Sequence, residues 1–357
     1  MSSTAVDLAA SKVAEQGVGD VRVFAFDHLP GLDALRFAAV YLIVLSHLGY
    51  KHVAGFGVPI LMALSGFLVT ILLLREHERT NTIDVRKFYR RRFFRIAPQY
   101  LAFLILAFSA DWFFGNPWPD GLIYFAATYT VNYYNAIHGH PDLLIAHVWT
   151  LAVLEQFYLI WPPICAWLVL RKHPERYLLA IIGVVILWRS FAYYVVFDRT
   201  PSWVYNALDC RLDSILVGAL AAFAVFRLQL RLELLRKLPW AAILVATAAI
   251  ALIKVSNDWK PWHYSVGYTV EALLAMVAIF AIIVAARFGP LRVLENKVIG
   301  WLAGISYGVF LYHSLAIGAA KKVASGPATL WAVSTVIVLM LAAASSRFIE
   351  RPASRWR

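Results

Sequence analysis

Cysteine is nearly absent. The 357 residues hold only Cys165 and Cys210, too few for a disulfide scaffold or a four-cysteine metal site. Both lie in apolar stretches, where a small buried thiol is the ordinary role. Charge is scarce as well, at 15% of residues against about 25% in soluble domains. There is no G-x-x-x-x-G-K-[ST] phosphate loop, no H-E-x-x-H and no paired CxxC, which argues against a nucleotide hydrolase or a zinc protease. No G-x-S-x-G elbow or triad accompanies the serines, no internal repeat is visible, and no metal site is expected. The first 27 residues are polar and mixed, without a basic stretch leading into an apolar core, so no cleavable signal peptide is expected.

What the chain has is apolar mass. Hydrophobic residues make up 61%, where about 45–50% is usual, and mean hydropathy is +0.67. A soluble globular enzyme and a disordered chain are both excluded. The composition is that of a polytopic membrane protein. A span needs roughly 20 mostly apolar residues, and ten stretches qualify: 32–50, 56–75, 96–114, 146–170, 177–197, 206–226, 239–255, 265–286, 298–318 and 327–347. Residues 122–137 carry Thr128, Thr130, Asn132 and Asn135, a polarity that suits a loop helix or re-entrant segment. The expectation is therefore an all-α bundle of about ten transmembrane helices with both termini cytoplasmic. Residues 1–27 would be a cytoplasmic tail, 28–350 the membrane domain and 351–357 a short basic tail.

The net charge of +12 fits that topology without any nucleic-acid partner. With both termini inside, most basic residues fall on cytoplasmic segments, as the positive-inside rule requires. Arg86, Lys87, Arg90, Arg91, Arg92 and Arg95 crowd one such loop. Arginine forks pair well with phosphate, so this loop can anchor anionic lipid or hold a phosphorylated ligand.

Ionisable groups within spans are costly, about 2.5–3.5 kcal/mol each even on lenient scales, and those kept there are usually functional or paired. The first span carries Asp33, Arg36 and His47. Arg36 and His47 are eleven residues apart, close to three whole turns, so both point one way about 16 Å apart along the axis. Asp33 lies one turn from Arg36 on nearly the same face, where the two can form an interfacial pair. Histidine suits proton transfer near neutral pH. In the second span, Ser65 and Gly66 favour close helix packing over a serine nucleophile. Glu155 and Gln156 sit well inside the fourth span and should face a protein interior or a wet cavity. Asp209, Arg211 and Asp213 form a charge cluster with an architectural role. Tyr312 and His313 read as aromatic-belt residues, and Trp112, Trp118, Tyr124, Tyr133 and Tyr134 of the outer segment suit stacking on sugar rings or, more commonly, belt anchoring.

These segments, in order, resemble the acyltransferase-3 family of integral-membrane O-acyltransferases over roughly 30–352. The resemblance rests on Leu32 to Arg36 followed by His47, on Ser65-Gly66-Phe67-Leu68, and on the arginine-rich segment from Phe88 to Pro98. It rests further on Trp149 to Pro162, Arg211 to Gly218, Ser306 to His313, and the Ile349-Glu350-Arg351-Pro352 ending. One departure stands out: the family carries two adjacent glutamates where this chain has Leu154 and Glu155.

The resemblance implies transfer of an acyl group, acetyl by family habit, from acyl-CoA to a hydroxyl of a carbohydrate or lipid-linked glycan at the outer face of a bacterial cytoplasmic membrane. It implies a stand-alone form without the esterase-like domain that some members carry. His47 would be the general base. Glu155 or Asp33 would orient the imidazole or balance charge. Arg36, with Arg90, Arg91, Arg92 and Arg95, would hold the phosphates of acetyl-CoA or another acyl-CoA. A transporter for a lipid-linked glycan and a member weakened by Leu154 are the alternatives.

Overall fold

The computed structural model describes residues 29–50, 56–228 and 260–356, and all regular structure in them is helical. The chain runs through α1 (Leu32–His47), α2 (Gly57–Thr80), α3 (Val85–Phe113), α4 (Leu122–Ala127), α5 (Val131–His138), α6 (Trp149–Leu168) and α7 (Pro174–Phe191). It continues through α8 (Ser202–Asn206), α9 (Leu208–Leu228), α10 (Tyr268–Phe288), α11 (Lys297–Ala320) and α12 (Pro327–Ser345). Among the described residues, seven helical stretches are long and apolar enough to cross a membrane: Gly57–Thr80, Val85–Phe113, Ala146–Leu168, Pro174–Val196, Lys260–Phe288, Lys297–Ala320 and Pro327–Trp356.

Two further expected spans form helices of a different character. α1 has 16 residues and is about 24 Å long, short of a bilayer core of about 30 Å. α9 carries Asp209, Arg211 and Asp213 in its first turns. The stretch 239–255 lies outside the described residues, as do the whole of the tail 1–27 and several of the basic residues used to orient the chain. Residues 122–137 form the two short helices α4 and α5, neither long enough to span. Tyr129, at φ 55°, marks the break between them.

The arginine-rich segment expected as a loop is helical, forming the first turns of α3. Asp84 caps it, its side chain accepting from the Lys87 N–H at 2.9 Å, and arginine and lysine are good helix formers. The helical period then separates the arginines by face.

Two apolar cores share the interior. One gathers α2, α6, α9 and α10 around Phe67, Trp161, Phe223 and Ile279. The other gathers α1, α3, α11 and α12 around Val44, Phe103, Leu311 and Val338. Both draw on α6, which gives Val153 and Phe157 to the first and Leu151 to the second. Leucine and valine side chains on the far faces of α7 and α12, such as Val184, Leu187 and Val336, stay exposed, as lipid-facing surfaces do.

α2 and α9 touch backbone to backbone. A Cβ added at Gly66 would stand 1.9 Å from the Ile215 carbonyl oxygen, and one at Gly218 would stand 1.9 Å from that of Ala63. Small residues permit this approach, as in other packed spans. Gly66→Ala forces the helices apart and is expected to cost about 1–3 kcal/mol, the usual range for overpacking. Gly304→Ala, where a Cβ meets nothing within 4 Å, is the control and should leave the melting temperature in detergent unchanged or slightly raised. Equal melting of the two variants would contradict the close packing.

Candidate active site

Three helices bring one histidine each to a common point. His47 ends α1, His147 stands in the 3-10 turn leading into α6, and His313 lies inside α11. Their ring centroids are 4.8 Å apart for His47–His313, 4.2 Å for His147–His313 and 6.2 Å for His47–His147. His47 is exposed, whereas His147 and His313 are buried.

A carbonyl oxygen can only accept, so a ring nitrogen bonded to one must carry the proton. His47 Nδ1 meets the Ile43 carbonyl at 2.8 Å, and His313 Nδ1 meets that of Phe310 at 2.7 Å. In both rings Nε2 is therefore the basic nitrogen. Nε2 of His147 and Nε2 of His313 are buried without a hydrogen-bond partner. Among the described residues, no group of three or more His, Cys, Asp or Glu is placed to hold a metal ion.

A cavity of about 320 Å³ lies beneath the cluster, between α1, α2, α3, α6 and α11. Asp33, Arg36, Arg75, Arg92 and Arg95 line one end of it. Val40, Leu151 and Phe310 line it toward the histidines. These three lie seven, four and three residues from His47, His147 and His313 on the same helices, hence on the same faces. The Phe310 ring packs against His147 at 5.4 Å and His313 at 6.1 Å between centroids. One cavity thus joins an arginine-rich end to an apolar wall on the helix faces that carry the imidazoles, none of which lines it.

The candidate residues named from the sequence divide accordingly. Arg36, Arg92 and Arg95 reach the cavity, while Arg90 and Arg91 stand exposed on α3 and are not among its lining residues. Asp33 pairs with Arg36 at 3.4 Å. Glu155 pairs with Arg92 at 3.3 Å, and the Arg92 guanidinium lies 3.1 Å over the Tyr158 ring. Both carboxylates therefore lie at the arginine end, away from the imidazole, and the backbone of Ile43 holds the His47 ring. Leu154, at the position of the expected glutamate, lines the cavity itself. His147 and His313 join His47 although sequence reasoning set neither among the site residues. The available signal was their place at the edges of the Trp149 and Ser306 motifs.

Arg189 and Asp213, both fully buried, pair at 2.8 Å between α7 and α9. They belong to the architecture of the neighbouring core and do not line the cavity.

Fold and site together define a polytopic membrane-helix bundle with a charged, histidine-bearing interior. The chain belongs to the acyltransferase domain family Acyl_transf_3, whose model matches residues 29–346. It is similar to O-acetyltransferase OatA of Staphylococcus aureus, with 26% identity over 93% of this chain and 58% of that protein. It is also similar to peptidoglycan O-acetyltransferase OatA of Listeria monocytogenes, with 28% identity over 91% of this chain and 56% of that protein. The chain thus spans a little over half the length of these relatives. No solved structure matches it.

Proposed function

We propose that the chain is an O-acyltransferase that moves an acyl group, acetyl in the first instance, from acyl-CoA to a hydroxyl of a glycan or glycolipid at the outer face of the cytoplasmic membrane. The observation that carries this reading is α1. It presents Arg36 to an arginine-lined cavity at one end and His47 to an imidazole cluster at the other. The name of the Listeria relative, a peptidoglycan O-acetyltransferase, supports a glycan of that kind as acceptor.

In this reading the coenzyme phosphates sit among Arg36, Arg92 and Arg95, where charge-assisted bonds are strongest. The pantetheine arm extends along Leu64, Leu154 and Leu151. His47 Nε2 takes the proton of the acceptor hydroxyl as its oxygen attacks the thioester carbonyl. Asp33 and Glu155 balance the arginine charge. Membrane lipids surround the bundle, and nucleic acid has no part.

The test is mass spectrometry of envelope and secreted glycans from cells with and without the chain. An acyl mass gain that requires the chain supports the reading and identifies the acceptor. Identical profiles would favour a transport role. Turnover with Leu154 in place would exclude an inactive homologue.

The arginines make a separate prediction. Arg95→Gln is expected to raise KM for acyl-CoA about tenfold, the equivalent of losing one charge-assisted hydrogen bond. Arg91→Gln should have a smaller effect, because Arg91 lies outside the cavity. Steady-state kinetics with varied acyl-CoA decides, and equal KM values for the two variants would contradict the placement of the phosphates.

A further inference from the structure

Transfer from a thioester to a hydroxyl moves a proton as well as an acyl group. The hydroxyl loses a proton and the departing sulfur gains one. Given the function proposed above, on which this inference rests, the two reactants arrive from different sides. The acceptor meets the exposed imidazole of His47, while the sulfur comes up the cavity to its apolar wall. His47 is seven residues beyond Val40, about 10 Å along α1, and its Nδ1 is committed to Ile43. A proton collected at its single free nitrogen is not beside the sulfur.

His313 stands nearer that wall without lining the cavity itself. It follows Phe310 by three residues on the same face of α11, with ring centroids 6.1 Å apart, and it is fully buried. The bond from Nδ1 to the Phe310 carbonyl fixes its tautomer. That leaves a basic Nε2 with no hydrogen-bond partner in the protein. Buried polar atoms are nearly always satisfied, and a bare one calls for an explanation. His147, 4.2 Å from His313 and 6.2 Å from His47 between centroids, closes the cluster from α6.

We propose that His313 is a second catalytic histidine, which returns the proton to the leaving sulfur. The acceptor O–H proton passes to His47 Nε2, and the oxygen electron pair forms the bond to the acyl carbon. The carbon–sulfur bond breaks with its pair on sulfur. The proton moves from His47 to Nε2 of His313, across rings 4.8 Å apart between centroids, and from there to sulfur. Both imidazoles end neutral, and the products are an ester and a free thiol.

The experiment compares two donors with the purified full chain and its His313→Gln variant, using peptidoglycan-derived glycan fragments as acceptor. One donor is acetyl-CoA. The other is the acetyl thioester of 4-nitrothiophenol, whose thiolate is a weak base and leaves without a proton. Glutamine keeps an acceptor atom near the position of Nε2 but cannot carry a proton. With acetyl-CoA, His313→Gln is expected to lower kcat by about a hundredfold, within the range for acid–base catalysis, at unchanged KM. With the activated donor its rate should be close to wild type. The wild-type chain should show a larger solvent deuterium isotope effect on kcat with acetyl-CoA than with the activated donor, because the proton taken up by His47 moves in both reactions and the one delivered to sulfur only in the first.

A variant equally slow with both donors marks a structural role for His313 and overturns the inference. So does a wild-type isotope effect that is the same for both donors, and this second measurement decides even if the variant does not fold. Transfer from neither donor by the wild-type chain would instead overturn the acyltransferase reading itself, and the inference with it.

Discussion

Replacing His47 by alanine is expected to lower acyl transfer by about 10²–10⁴-fold, the range for loss of a positioned general base. The ring is held by the Ile43 carbonyl at 2.8 Å, so its basic nitrogen needs little ordering when the acceptor arrives. Its place at the end of α1, in an exposed position, makes it the histidine of the cluster that an outside hydroxyl can reach. His147 and His313 are both buried and cannot take its place at that surface. The loss should appear in kcat, with KM for acyl-CoA little changed, because Arg36, proposed to hold the coenzyme, lies about 16 Å away along the same helix, and Arg92 and Arg95 line the cavity from α3. Kinetics on detergent-purified protein, with melting temperature as the check on folding, gives the answer. A folded His47→Ala chain that transfers at the wild-type rate would remove His47 from the mechanism.

Much of this arrangement is legible in one dimension. Apolar run length marks out α1, α2, α6, α7, α9 to α12 and the apolar part of α3, though not the five-residue α8, and the spacing of Arg36 and His47 on one face predicts a site with two ends. Gly66 was rightly read as a packing residue, since its Cβ would collide with the Ile215 carbonyl. The convergence of His47 with His147 and His313 is not legible that way. It depends on α1, α6 and α11 meeting in space, and no spacing within one helix records that. His313 near a span end reads like any belt residue until its neighbours are known. The helical state of the arginine-rich segment was hidden for another reason. Its residues lack an apolar period, and the evidence for a helix is the Asp84 cap and the propensity of arginine rather than burial. Glu155 shows the same limit: its place inside a span is plain, but its partner Arg92 comes from a different helix.

The largest stability effect is expected at Asp213. Arg189 is fully buried and spends its donors on four acceptors. Nε bonds the Ser265 carbonyl at 2.7 Å, and Nη1 bonds the Cys210 carbonyl at 2.8 Å and Asp213 Oδ1 at 2.8 Å. Nη2 bonds Thr269 Oγ1 at 2.9 Å, and the Thr269 hydroxyl in turn donates to Asp213. Asp213→Ala leaves the guanidinium its neutral acceptors but removes the carboxylate that balances it. Breaking a buried pair in this way costs about 3–5 kcal/mol, a large share of the roughly 5–15 kcal/mol that holds a typical protein folded. Replacing both partners by apolar residues is often neutral, because no charge is then left without a partner. Asp213→Ala should therefore melt well below wild type in detergent, while Arg189→Met with Asp213→Leu should recover much of the loss. If Asp213→Ala melts like wild type, the pair does not hold the core. The consequence reaches the site through α9. That helix packs backbone to backbone on α2 at Gly66, and α2 supplies Leu61, Leu64 and Ser65 to the cavity wall. A shift of α9 would therefore be felt where the donor is proposed to lie, and the single variant should lose donor affinity as well as stability.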